Sequence, residues 1–240
     1  MRVESEPGFI LHTIPYRETS LLVDVFSLNY GRVRCVAKGF RKPNKKGIAK
    51  TLFLYTEHHH QWQGRGELKT LIQAEPIQAP VFLKQGSLYV GLYVNELLYK
   101  LLHQNDPHPS LYRFYHQFMS HLSVSGLDQA ELRRFEMLLL EELGYGLVLG
   151  SEADSGQAVS AEHLYYYIPD QGLKLIQDQN ANKTQALSGA DIIALSQGEL
   201  DKPSVLRTAK QLTRQVIDFY LDGKELNSRE LYRQHLLNNN

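Results

Sequence analysis

The chain has 240 residues, 42% of them apolar, which is enough for one large domain or two small ones with a real core. Its 26 Lys and Arg balance 26 Asp and Glu, which excludes a uniformly basic nucleic-acid binder, and its single cysteine, Cys35, excludes an intramolecular disulfide and any multi-cysteine zinc site. The N-terminus MRVESEPGF lacks the apolar centre of a signal peptide, and no run reaches the roughly 18 uninterrupted apolar residues of a membrane span, so a soluble, cytoplasmic protein is expected.

Phe9–Pro15 and Ser20–Ser27 are rich in β-branched and aromatic residues and flank a polar turn, so they are predicted as the first two strands of a meander. Leu28 to Gly31 supply turn residues before a third strand, Arg32–Ala37, in which Arg32 and Arg34 alternate with Val33, Cys35 and Ala37. Two more strands are predicted over Thr51–Gln63 and Glu67–Ala74 around Gly64-Arg65-Gly66, and five strands in about 75 residues point to an oligonucleotide-binding barrel. Pro76 and Pro80 mark a boundary beyond which the apolar period lengthens to that of helices. Helices are predicted over Leu88–Leu102, Pro109–Ser123, Asp128–Leu143, Ser204–Leu221 and Ser228–Leu237, with a hairpin of Leu164–Ile168 and Gly172–Ile176. The fold class is therefore α+β: a barrel over residues 1–80, then a mainly helical domain over 81–240 with a loop and hairpin insertion near 150–177.

Charge is uneven along this frame. Residues 1–80 carry 12 Lys or Arg against 7 Asp or Glu, and residues 81–240 carry 14 against 19, so a basic module precedes an acidic one. Within Gly31–Lys50 the basic residues Arg32, Arg34, Lys38, Arg41, Lys42, Lys45, Lys46 and Lys50 have no acidic residue among them, and Pro43, Asn44 and Gly47 disfavour a helix there. Such a basic strand running into an irregular basic loop suits a phosphate backbone, so Arg32, Arg34, Lys38, Arg41, Lys42, Lys45 and Lys46 are the candidate DNA-binding residues. Phe40, Phe53, Tyr55 and Trp62 lie in or beside this region, either as barrel core or as platforms for stacked bases. His58 and His60 share one strand face but have no further ligand nearby in sequence, and they read as exposed polar positions rather than a metal site. Cys35 falls on the apolar face as an inert core residue, and no nucleophile and base are paired for hydrolysis.

GFILHTIPYRETSLLVDVFSLNYGRVRCVAKGFRK, with its ETS, GRVR and VAKG elements, then LRRFEMLLLEELGYG and GKELNSRELYRQ, resemble in content and order the RecO family of bacterial recombination mediators over nearly the whole chain. The resemblance implies a non-enzymatic protein without cofactors that binds single- and double-stranded DNA in the nucleoid-bearing cytoplasm. Members anneal complementary strands and, with RecR, help load RecA onto strands coated by single-stranded-DNA-binding protein. Many carry a four-cysteine zinc element after the GYG motif; here Gly150 to Gly156 read GSEADSG, so no metal is expected. The resemblance also places the site for the acidic, apolar C-terminal tail of single-stranded-DNA-binding protein on the LRRFEM helix. There Arg133 and Met137, four residues apart, are expected to share an outward face opposite Leu132, Phe135, Leu139 and Leu143. An adaptor whose barrel binds protein instead of DNA is the alternative reading.

Overall fold

Phe9, Ile10 and Leu11 are consecutive, apolar and all buried, which a strand permits only if both of its faces are covered. They belong to β1 (Arg2–Tyr16), the longest strand of a computed structural model that describes residues 2–41, 52–177 and 185–238. β1 pairs antiparallel with β2 (Ser20–Ser27) along its C-terminal half and with β4 (Glu57–Gln63) along its N-terminal half, bending at a register shift between Ile10 and His12. β2 pairs with β3 (Gly31–Ala37), β4 pairs with β5 (Leu68–Pro76), and a short parallel match of Arg34–Ala37 with Leu68–Leu71 completes the circuit. Among the described residues these strands form a closed barrel in the order β1-β2-β3-β5-β4, the barrel predicted from sequence.

Alternation then sorts the side chains. Ile10, Val23, Val25, Val33, Cys35 and Trp62 fill the interior, while Phe9 and Phe26 point outward and are covered by helix α2 (Pro109–Ser125), through Tyr112 and Tyr115 with ring centroids 4.8–6.1 Å apart. Helix α1 (Gln85–Leu101) closes the same side. Its buried Asn95 donates to the carbonyls of Ile10 and Leu11 at the bulge, at 3.4 and 3.2 Å, and accepts from Tyr115 Oη at 2.7 Å. The bulge frees those carbonyls from the ladder, and Asn95 satisfies them. The C-terminal helix α6 (Asn227–Asn238) returns to α1, where the Glu96 carboxylate accepts from the backbone N–H groups of Asn227 and Ser228 at 3.0 and 2.9 Å and from Ser228 Oγ at 2.6 Å. Burial pushes the Glu96 carboxyl upward, but these bonds and Lys100 outweigh it and hold it below the usual range.

The chain divides into two compact units, Met1–Leu127 with Glu225–Asn240, and Asp128–Lys224. The first unit thus joins α1, α2 and α6 to the barrel of residues 1–80, because the outward rings of the barrel are covered by α2. The second unit holds α3 (Gln129–Glu142), the predicted hairpin as β6 (Leu164–Ile168) and β7 (Gly172–Leu175), a short strand β8 (Leu187–Ser188), α4 (Gly189–Ser196) and α5 (Pro203–Tyr220). β8 and α4 lie outside the elements predicted from sequence. Asp128 caps α3 by accepting from Ala130 N at 2.8 Å.

The fourth strand begins at Glu57 and not at Thr51. Tyr55 has φ +63°, which no strand accommodates, and its ring is buried beside Gly91 of α1. The described segment 52–56 instead enters the barrel wall through a single bridge between Leu54 and Ile10.

Candidate nucleic-acid interface

β3 sets the site. Its even-numbered Arg32 and Arg34 leave the barrel interior, and Asp24, opposite Arg34 in the register, faces the same way. Arg32 Nη1 lies 2.9 Å from Asp24 Oδ1, and Arg34 Nε lies 3.0 Å from the same oxygen while its Nη2 donates to Oδ2 at 3.1 Å. Arg32 Nε also donates to the Leu102 carbonyl at 3.0 Å, and Arg34 Nη2 to Tyr99 Oη at 3.1 Å, with both guanidinium carbons within 6 Å of the Tyr99 ring centroid. Two cations therefore share one carboxylate that is itself buried, leaving a net positive charge on this face. The bond to Asp24 outweighs burial and holds the Arg34 guanidinium above its ordinary range. Arg32 is largely enclosed, and Arg34 retains 29% of its side-chain exposure.

Lys38 and Arg41 stand exposed beyond the end of β3. Arg41 N donates to the Thr19 carbonyl at 3.0 Å and Arg41 Nη1 to the Arg17 carbonyl at 3.3 Å, so the β1–β2 turn and the start of the basic loop lie side by side. This brings the exposed Arg17 into the same basic group. In sequence it sits beside Glu18, which concealed it. Lys42, Lys45 and Lys46 lie outside the described residues.

The aromatics separate cleanly. Phe40, Tyr55 and Trp62 are buried and belong to the core, whereas Phe53 is half-buried. The histidine expectation is corrected: His59 is exposed, but His58 and His60 are buried, because their strand face turns inward beside Trp62. The His58 Nδ1–H donates to the Thr56 carbonyl at 2.8 Å, whereas neither ring nitrogen of His60 has a well-formed hydrogen bond among the described residues. Burial, aided by the neighbouring His58, pushes His60 down to about 3, and burial also lowers His58.

Cys35 is fully buried, and burial pushes its thiol up to about 12, so it is no nucleophile at neutral pH. The segment after Gly150 engages its own acidic side chains. Both Glu152 carboxylate oxygens accept backbone N–H groups, from Asp154 at 3.1 Å and Ser155 at 2.7 Å, and Asp154 pairs with Lys174 at 3.0 Å. Among the described residues no group of three or more His, Cys, Asp or Glu is placed to hold a metal ion.

On α3 the structure corrects the expected outward placement of Arg133. Its side chain is buried, 2.8 Å from Glu136 Oε2, which also accepts from Thr213 Oγ1 of α5 at 2.5 Å. Glu136, one turn later, gives the cation a partner inside, so periodicity of apolar residues alone misplaced it. Met137 is half-buried.

Among the described residues no helix is long and apolar enough to cross a membrane. The family model "Recombination protein O N terminal" matches residues 1–80, and "Recombination protein O C terminal" matches residues 86–230. The chain is 37% identical to the DNA repair protein RecO of Aromatoleum aromaticum over 97% of its own length and 96% of that protein's. It is 39% identical to the DNA repair protein RecO of Methylococcus capsulatus (97% and 94%) and 38% identical to that of Aliivibrio fischeri (93% of each). A barrel of oligonucleotide-binding topology, a second unit built on paired helices and near full-length similarity all agree, and the chain belongs to the RecO family of DNA repair proteins.

Proposed function

We propose that this protein binds single-stranded DNA through a phosphate-tracking surface that begins at Lys38 and Arg41 and continues through Lys42, Lys45 and Lys46. One observation carries the reading: an acid-free basic run leaves the end of β3 beside the exposed Arg17 turn of a closed barrel. Arg32 and Arg34 contribute their surplus positive charge from behind, with only Arg34 open enough to touch a phosphate directly. The role is non-enzymatic: annealing of complementary strands and, with RecR, transfer of RecA onto strands coated by single-stranded-DNA-binding protein in the nucleoid. Duplex DNA is bound by the same phosphate contacts. Docking of the single-stranded-DNA-binding protein tail belongs on this reading to the α3 region, with the half-buried Met137 as its apolar contact, while Arg133 is engaged by Glu136 and acts only by holding the helix in place.

The triple variant Lys42→Glu, Lys45→Glu, Lys46→Glu tests the reading. Single-strand contacts contribute a slope of about −0.7 each to log K against log salt, so losing three should flatten the slope by about 2 and weaken binding irrespective of base sequence. Fluorescence titration of labelled oligonucleotides across a salt series measures both. Wild-type affinity and slope in a folded triple variant would remove this loop from the site. Absence of salt-dependent DNA binding by the wild-type protein would favour a barrel that binds protein.

A further inference from the structure

Phe82 is an anomaly in the first unit. It is a large aromatic side chain left 66% exposed, in a segment whose neighbours are otherwise well placed. Leu83 next to it is buried, lying where a side chain on Gly91 would otherwise go, and Val81 N donates to Thr56 Oγ1 at 2.9 Å. The backbone on both sides of Phe82 is thus pinned, and its ring is held outward.

The ring also has a backing. Phe82 meets Phe53 edge-to-face at 6.0 Å, Phe53 stacks on His58 at 6.4 Å and 16°, and His58, His60 and Trp62 follow at 5.6 and 6.5 Å. A column of rings therefore runs from the buried indole of the barrel to the surface and ends at an open aromatic face. A solvent-facing ring that only filled space would not need such support.

Positive charge follows the open ring along the chain. Lys84, two residues after Phe82 and next to the buried Leu83, is exposed and is the N-cap residue of α1. α1 begins with no side-chain cap and no acidic residue in its first turn, so its free N–H groups and dipole add positive potential at the same end. An exposed aromatic face beside a lysine and an uncapped helix start suits a nucleobase with its attached phosphate.

We propose that Phe82, braced by Phe53, is a base-stacking platform for single-stranded DNA, with Lys84 and the start of α1 receiving the adjoining phosphate. This rests on the single-strand-binding reading and adds a subsite that the basic run does not contain. It also makes binding sensitive to the presence of bases and not only to phosphates.

The test compares an oligothymidylate with an abasic oligonucleotide of equal length, each titrated against wild-type protein, Phe82→Ala and Phe82→Trp. Wild type is expected to prefer the oligothymidylate by at least about five-fold, Phe82→Ala to lose that preference while keeping its abasic affinity and salt slope, and Phe82→Trp to retain it. Quenching of the new indole by thymine would report the stack directly. If Phe82→Ala binds both ligands as wild type does, or weakens both equally, the platform is overturned while the phosphate-tracking surface stands. If wild type binds neither ligand, the DNA reading itself fails. Circular dichroism of each variant confirms the fold, and the abasic ligand provides an internal control for it.

Discussion

Asp24 shows how a single carboxylate can organise a basic strand. It is buried with Arg32 and Arg34 on either side, so its loss leaves two guanidiniums facing each other across a partly closed space. Asp24→Asn is expected to lower stability by about 2–4 kcal/mol, at the low end of buried-pair disruption because Arg34 can turn toward water. Urea unfolding measures it, and a change below about 1 kcal/mol would mean the pair is mostly screened. His60 makes a second prediction. Its folded-state value of about 3 lies below the ordinary 6.5, so as pH falls below about 6.5 the unfolded chain takes up a proton that the folded barrel refuses. Stability should therefore fall on acidification by up to about 1.4 kcal/mol per pH unit from this group, levelling off near pH 3. His60→Leu should make the decline shallower in urea unfolding at pH 7 and pH 5, and an unchanged pH dependence would assign it elsewhere. At this scale the sequence was legible in part. The alternation of Arg32 and Arg34 with apolar residues marks their outward face plainly. It cannot reveal that Asp24, eight and ten positions earlier, is their partner, nor that Glu136 draws Arg133 inward, because both depend on which side chains tertiary pairing places opposite.

At the scale of elements, most strands and helices with strong periodicity are readable to within a few residues. β1, however, begins at Arg2, seven residues before the predicted Phe9, because the polar Glu4-Ser5-Glu6 breaks the apolar alternation there, and the fourth strand begins six residues late. Tyr55 at positive φ breaks an otherwise strand-like run, and β8 with α4 is too short for periodicity to register. Phe82, a lone aromatic just after Pro76 and Pro80, carries no pattern in the sequence. Gly31 illustrates the opposite, a turn residue recognisable in sequence whose full role needs the structure. It sits at φ +65° with the Asp106 backbone where a β-carbon would project, between β3 and the segment joining α1 to α2. Gly31→Ala combines strain with a backbone clash and is expected to destabilise by more than about 2 kcal/mol. Thermal unfolding checks this, and a variant as stable as wild type would show that the 103–108 segment yields readily. The loop after Gly150 is likewise an element held by local chemistry: Glu152 accepts two backbone N–H groups, Glu152 N and Ala153 N donate to Gln157 and Leu173 carbonyls, and Asp154 pairs with Lys174.

For the molecule as a whole, composition located the change from strands to helices but could not show that α1, α2 and α6 belong with the barrel. That grouping follows from both faces of β1 being apolar, a feature present in the sequence as the unbroken Phe9-Ile10-Leu11 and interpretable once the covering rings are seen. The sole tryptophan of the chain is Trp62, buried inside that first unit and in edge contact with Tyr30 at 5.6 Å. The second unit contains tyrosines but no indole. Light absorbed selectively by tryptophan therefore queries the barrel alone, and emission that shifts to the red marks the moment water reaches its interior, giving each urea titration above a spectroscopic signal already tied to one named residue.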